Sequence, residues 1–371
     1  MRDDPLVQEL QSVTERSGPF VSLYLNSEAE RELGPQEMHA RWRNFRDKAG
    51  SNAIPEKALL LLDDVVEGSH RKGNGLVAIT SGEELVFRRF LKSPVSDSIR
   101  TGAVPHLTPL FDHYQHHPSY AIVLIDRAGA EIHVVNEVED DDVVEVEGDH
   151  DELRKVNPGG WSQRRFQNRA EDSWERNVEE VVKQLGRVIQ QEGLALAIVM
   201  GDVRAKAFLG ENAHPDIKAI IHELDVAPPT NDRLDEVREE VQAAVAALVG
   251  PRIEETVEKF LEERGQRDLA ADGIEQTIEA LRMSQVETLL ITSQEIEQEG
   301  FVLQGDLTQG SLARDSLQGL GDNRIESANA DDVLVRMALG TGAAICVIPE
   351  LGPERGPTAG VGAILRFKTE N

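Results

Sequence analysis

At 371 residues the chain exceeds what one ordinary hydrophobic core supports, so two or three domains are expected. Its 40% apolar and 29% charged residues fit a soluble globular protein, and no apolar run approaches the roughly 20 residues that span a bilayer. A net charge of −28 repels polyanions at long range and argues against general nucleic-acid binding, while leaving room for a local basic site.

The same acidity also fits a salt-adapted or GC-rich host. One cysteine, Cys346, excludes an internal disulfide, and "GAAICVIPE" reads as a buried strand around a structural thiol. The N-terminus "MRDDPLVQELQSV" lacks the basic start and apolar stretch of a signal peptide, so a cytoplasmic protein with no membrane partner is expected.

Residues 1–116 alternate helix and strand patterns. "FVSLYLN" is an apolar strand, and the stretch through "EMHARWRNFRDKA" is helical, followed by a second helix at "EKALLLLDDVVEGSH". "GNGLVAITS" and "ELVFRRFLK" read as paired strands around "GEE", and "VPHLTPLFDHYQHHP" as a closing linker.

A second unit, 117–268, opens with "SYAIVLIDRAGAEIHVVNEV", two strands about the turn "RAGA". The helix "AEDSWERNVEEVVKQLGRVIQQEG" stops at Gly193, "LALAIVMGD" is a strand, "AKAFLGENAH" starts a helix and "IKAIIHELD" gives another strand. The next helical stretch, ending at "LEERG", contains Pro251 as an expected kink or break.

The third unit, 269–371, starts where Asp272 can cap "GIEQTIEALRMSQVE". "TLLITSQ", "AAICVIPE" and "GVGAILRF" read as strands, and "ADDVLVRMALGTG" as a helix ended by glycine. Alternating strands and helices make the chain α/β (α+β), in three domains.

Four features were weighed for function. The clusters "GTGAAIC" and "GPTAGVGAILRF" lack the strand–glycine–helix order of a phosphate loop and read as turns. His106, Asp112, His113, His116 and His117 could ligate zinc or iron in a metal hydrolase, but no H-E-x-x-H frame is present and a polar linker is the simpler reading. No cofactor or metal is therefore expected. The patch "RWRNFRDK", with Arg41, Arg43, Arg46 and Lys48, could touch phosphates or be a solvated helix face.

The most specific feature is "NPGGWSQRRFQNR", directly after an acidic run. Pro158, Gly159 and Gly160 make a backbone-exposed loop. Arg164, Arg165 and Arg169 then place cations at a helix start, where the macrodipole disfavours them. A sequence that breaks a folding rule locally points to a functional tip reaching RNA phosphates.

At these residues the chain resembles the archaeo-eukaryotic class-1 release factor and Pelota superfamily. Gly159, Gly160, Ser162, Arg165 and Phe166 stand in the frame of the release factors' Gly-Gly-Gln tip, its following Ser and its Arg-Phe pair. "AGVGAILRF" is similar to the closing strand of the superfamily's third domain, and "GIEQTIEALRMSQVETLLI" to the helix and strand that open it.

The resemblance implies a three-domain protein with a central domain carrying the tip loop and a ribosomal-protein-like α/β/α C-terminal domain. It implies action in the ribosomal A site, with rRNA, peptidyl-tRNA and a translational GTPase as partners. Trp161 stands where the family has its catalytic glutamine, and Gln163 lies two residues on, as in Vms1-like peptidyl-tRNA hydrolases. No Asn-Ile-Lys-Ser motif is present, so stop-codon decoding is not expected.

On this basis Gly159, Gly160 and Gln163 are the expected catalytic residues, with backbone N–H groups and one amide orienting water and stabilising the oxyanion. Trp161 would stack on a base, and Arg164, Arg165 and Arg169 would hold RNA. The alternative is a non-catalytic relative, like Balon-type hibernation factors, which binds idle ribosomes with elongation factor Tu.

Overall fold

The apolar run Phe20–Asn26 becomes strand β1, buried on both faces. Val21, Leu23 and Leu25 pack toward helices α2 (Gly34–Lys48) and α3 (Glu56–Glu67), while Phe20 and Tyr24 enter a second core on the opposite side. Period-2 alternation feeding two cores explains why this strand is apolar throughout. It pairs antiparallel with β2 (Gly75–Ser81) and β4 (Ser98–Gly102), and β2 pairs with β3 (Glu84–Leu91), giving the order β3-β2-β1-β4.

The computed structural model describes residues 5–27, 34–48, 54–68, 73–127, 129–137, 142–147, 154–156, 174–226, 234–266, 268–320 and 324–367. Two compact units emerge: Met1–Gln115 together with Pro251–Asn371, and His116–Gly250.

In the first unit, the core beneath β1 is shared across the sequence. Leu10 and Val13 of helix α1 (Pro5–Thr14), and Leu107 and Leu110 beside helix α4 (Thr108–His116), pack in one cluster with Ile278, Leu289 and Val333. The stretch read as a linker thus contains the helix α4, because its Leu107, Leu110 and Phe111 join that core.

The second unit holds a six-stranded mixed sheet. Strands β5 (Tyr120–Ile125), β6 (Gly129–Val135), β7 (Asp142–Glu147) and β8 (Arg154–Val156) run antiparallel to one another. Strands β9 (Leu196–Gly201) and β10 (Ile221–Glu223) add parallel to β5, giving the order β10-β9-β5-β6-β7-β8. Helices α5 (Trp174–Glu192) and α6 (Val203–Asn212) cover one face through Val178, Val181, Leu185, Ala205 and Leu209, and the single turn α7 (Pro215–Lys218) precedes β10. Gly193 ends α5 at φ +62°, as expected. Gly201 sits at φ +131° with Ile125 O so close that an added Cβ would fall 1.8 Å from it, so no other residue fits there.

Helix α8 (Arg238–Gln266) continues unbroken through Pro251, contrary to the expected break. Past it, β11 (Ala270–Asp272), β12 (Val286–Thr292), β16 (Ala344–Ile348) and β17 (Val361–Leu365) form a sheet of order β11-β17-β12-β16. Phe260 and Val257 of α8 cover one face, against Leu290, Cys346 and Ile364. Helices α9 (Ile274–Arg282) and α10 (Ala330–Thr341) cover the other, making the α/β/α layering that was expected. A small sheet, β14-β13-β15, of β13 (Glu299–Leu303), β14 (Gly310–Ser311) and β15 (Ile325–Asn329), completes the first unit.

Asp272 does not cap α9. Its carboxylate instead accepts from the backbone N–H and hydroxyl of Thr358, at 2.7 and 2.9 Å, and Gly273 precedes the helix without a side-chain cap.

Burial pushes the Cys346 thiol up to about 11, with Thr256 acting in the opposite sense. Because the folded value is raised, the protonated thiol's contribution to stability is present below the unfolded pKa and lost as pH rises through about 11. In native protein at pH 8 Cys346 should resist a thiol reagent, and react at the rate of a free thiol only in urea; rapid native labelling would contradict its burial.

Candidate functional site

Strand β8 leads into the glycine- and arginine-bearing segment singled out in the sequence. It forms the outer edge of its sheet, with Val156 opposite Val143 and Arg154 opposite Glu145. Segment 157–173 follows, and with it Gly159, Gly160, Trp161, Gln163, Arg164, Arg165 and Arg169, all outside the described residues. The chain resumes at Trp174 as α5, which lies over β6 and β7. An edge strand and the helix covering its neighbours therefore bracket the segment.

At the carboxyl ends of the parallel strands, charged side chains gather close to backbone turns. Asp202, at the N-cap of α6, accepts from the N–H groups of Arg204 and Ala205 at 2.9 and 3.0 Å. Burial works against its charge, but these bonds and Arg127, at 3.5 Å, hold its pKa below the usual range. Lys206 is 3% exposed and pairs with Asp225 at 3.0 Å and Glu223 at 3.4 Å. Burial opposes its charge, and the two carboxylates outweigh that to raise its pKa. On β6, Glu131 and His133 are buried on one face, Oε2 and Nε2 3.5 Å apart, and neither atom has a hydrogen-bond partner.

The α2 patch is largely committed within the protein. Arg41 donates to Asn26 O and pairs with Asp97 at 2.9 Å. Arg46 pairs with Asp63, whose other oxygen accepts from the buried Trp42 Nε1 at 2.7 Å. Arg43 is exposed, its Nε donating to His39 O on its own helix at 3.4 Å. The side chain of Lys48 lies outside the described residues.

Sequence reasoning missed a buried charge network in the first unit. Arg100 on β4 bridges Asp331 and Asp332 in the first turn of α10, at 2.7 and 3.2 Å, and reaches Glu295 at 3.0 Å. His106 Nδ1 stands 2.7 Å from Asp332, and its N–H and C=O are held by Ser22 Oγ and the Tyr24 hydroxyl. Burial opposes the Arg100 charge, but Asp332 and Asp331 outweigh it and raise its pKa. Asp331 is raised by burial and by Asp332, one guanidinium being shared between two carboxylates. Only "ADDV", acidic residues opening a helix, signalled this site in the sequence. Of the histidines weighed for metal, His106 and His113 are buried in the first unit, while His116 and His117 begin the second.

Residues 119–266 match the sequence model of the bacterial archaeo-eukaryotic release factor family 2. Over this segment the chain is similar to the bacterial archaeo-eukaryotic release factors. The match spans the tip segment and agrees with the superfamily resemblance seen there. No curated protein matches the chain. Among solved structures, a ribosome-bound archaeal Pelota determined with ABCE1 is 16% identical, covering 98% of this chain and 94% of that one, with a TM-score of 0.42. The archaeal translation termination factor aRF1 is 20% identical over 98% of this chain and 96% of that one, with a TM-score of 0.23. S. cerevisiae Dom34, a termination-like factor interacting with Hbs1, is 12% identical over 80% and 87%, with a TM-score of 0.40. The family likeness rests on the matched segment.

Two substitutions test the structural account. Asp63→Ala strands the buried Trp42 Nε1 and should cost about 1–3 kcal/mol in urea unfolding. Arg100→Ala leaves two buried carboxylates without their cation and should cost about 3–5 kcal/mol, so a loss below about 1 kcal/mol would contradict the network.

Proposed function

We propose that the protein is a release-factor-type translation factor that acts in the ribosomal A site and hydrolyses peptidyl-tRNA on stalled ribosomes without decoding a stop codon. The observation that supports this reading is the family match over residues 119–266, with "GGWSQRRF" inside the matched span. Such a factor works in the cytoplasm beside rRNA and peptidyl-tRNA, with a translational GTPase as partner. Among the described residues no helix is long and apolar enough to cross a membrane.

In this reading Gln163 orients the attacking water through its amide, while Gly159 and Gly160 allow the backbone to approach the ester closely. Backbone N–H groups stabilise the developing oxyanion, so no titrating base is needed from the protein. Arg164, Arg165 and Arg169 neutralise phosphates, and Trp161 stacks on a base. On helix α2, Arg43 extends the RNA contact; Arg41 and Arg46, being ion-paired, chiefly shape that face.

Trp161 in the glutamine's place favours a second reading, a non-catalytic factor that occupies idle ribosomes with elongation factor Tu. The readings separate on stalled ribosomes carrying labelled peptidyl-tRNA. Wild-type protein should release the peptide, and Gln163→Ala should lower the rate on the order of 10²-fold or more with little change in ribosome binding. Tight binding of wild-type protein to vacant ribosomes without any release would establish the non-catalytic reading instead.

A further inference from the structure

The Arg100 network divides its oxygen atoms unevenly. The guanidinium takes Oδ2 of Asp331 at 2.7 Å and Oδ2 of Asp332 at 3.2 Å. Asp332 Oδ1 faces His106 Nδ1, and Asp331 Oδ1, on a residue 1% exposed, has no hydrogen-bond partner. A buried carboxylate oxygen left without a donor is costly and calls for a missing partner. One donor atom from each of His106, Asp331 and Asp332 lies within 4.8 Å of the others.

Charge points the same way. Arg100 contributes +1 and Asp331, Asp332 and Glu295 contribute −1 each, so these four side chains sum to 1 − 3 = −2. One divalent cation brings that sum to zero. A cavity of about 460 Å³ opens onto Asp332, with Glu295, Glu297 and Glu299 in its lining, giving a cation an anionic approach.

We infer that His106, Asp331 and Asp332 bind a divalent transition-metal ion of the zinc class, with Arg100 as the outer partner that fixes both carboxylates. An imidazole with two carboxylates suits zinc, manganese or ferrous iron, whereas magnesium and calcium prefer oxygen-only shells. Arg100 holds Oδ2 of each aspartate, as outer-shell groups hold ligating carboxylates in metal sites, and Asp331 Oδ2 also lies 3.9 Å from His106 Nδ1. Zinc–ligand bonds of about 2.0–2.2 Å set donors roughly 3.3 Å apart, so His106 Nδ1 and Asp332 Oδ1, now 2.7 Å apart, separate by about 0.6 Å on binding. The ion joins the loop after β4 to the start of α10, two parts of the first unit more than 220 residues apart in sequence. This inference stands independently of the proposed function and of the tip segment.

The test uses the full chain, stripped with chelator and then titrated with zinc against a chromophoric competitor. One zinc per chain is expected, with a raised melting temperature, and a large excess of magnesium should not displace it. Asp331→Asn keeps the shape but removes a charged ligand, and His106→Gln removes the imidazole. Each should weaken zinc about 100-fold or more, and should abolish the visible absorption of the cobalt-substituted protein. If His106→Gln fails to fold, Asp331→Asn and the cobalt spectrum of the wild type carry the test. Absence of zinc binding, displacement by magnesium, or unchanged binding in Asp331→Asn would overturn the inference and leave a closed ion-pair network.

Discussion

Two buried aspartates at the start of α10, held by one arginine from β4, are the constraint on which the first unit turns. Placing Asp331 and Asp332 side by side in a low-dielectric setting is unfavourable unless a cation lies between them. The helix N-terminus helps, because its free N–H groups and macrodipole favour negative charge there. Arg100 supplies the rest, and its position fixes where β4 and the loop to His106 must run. Burial of Leu10, Tyr24 and Val333 in one core supplies free energy without direction, since apolar contacts are tolerant of small slips. The charged cluster is directional and so sets the register of residues 98–106 on α10. Arg336 plays a smaller version of the same part: buried at 2% exposure, it donates to Leu303 O and Asp306 O and pins the turn after β13. Burial lowers its pKa to about 10, which still leaves it cationic at neutral pH.

Most secondary elements were legible in the sequence because they rest on local period. β1, the β5–β6 hairpin, α5 with its glycine stop, and α10 with the left-handed Gly342 all follow from apolar spacing and turn residues within ten or twenty positions. What the pattern misread was decided by tertiary packing. "HLTPLFDHYQH" looks polar because six of its residues carry hydroxyl, imidazole or carboxylate groups, yet its apolar positions fall on one helical face and meet the core. Pro251 follows a glycine in a helix whose flanking turns are strongly helix-forming, and the surrounding bonds carry it through. Asp272 had a better partner in Thr358, 86 residues away, than in its own helix. The Arg100 network was illegible for the same reason: its members are 231 and 232 residues apart, and no local rule joins them.

Charge distribution connects fold to function. Among the described residues many cations are already matched: Arg16 with Glu84, Lys57 with Glu83, Arg89 with Glu9, Lys259 with Glu287. Exposed pairs such as these add little stability, but they lower the positive potential the surface offers to a polyanion. The α2 patch shows the effect directly, since Arg41 and Arg46 look basic in sequence and are neutralised in place by Asp97 and Asp63. A chain of net charge −28 with its basic groups so occupied has little general affinity for RNA.

That makes the "RRFQNR" stretch more informative than its three arginines alone would be. In a neutral protein, three cations within six residues would be a weak signal. Here they follow the acidic 138–153 run and stand in the segment that the family match spans. In the proposed reading, an anionic body with a cationic tip is repelled from RNA at a distance and held only where the tip is seated, which would select a narrow, RNA-walled site over bare RNA. The salt dependence of such binding is then governed by the tip's few phosphate contacts and by repulsion of the body, which act in opposite senses. Added salt screens the long-range repulsion first and weakens the tip's contacts more slowly. A factor that worked as proposed would gain specificity for a crowded ribosomal site from the acidity that seemed, in composition alone, to argue against RNA.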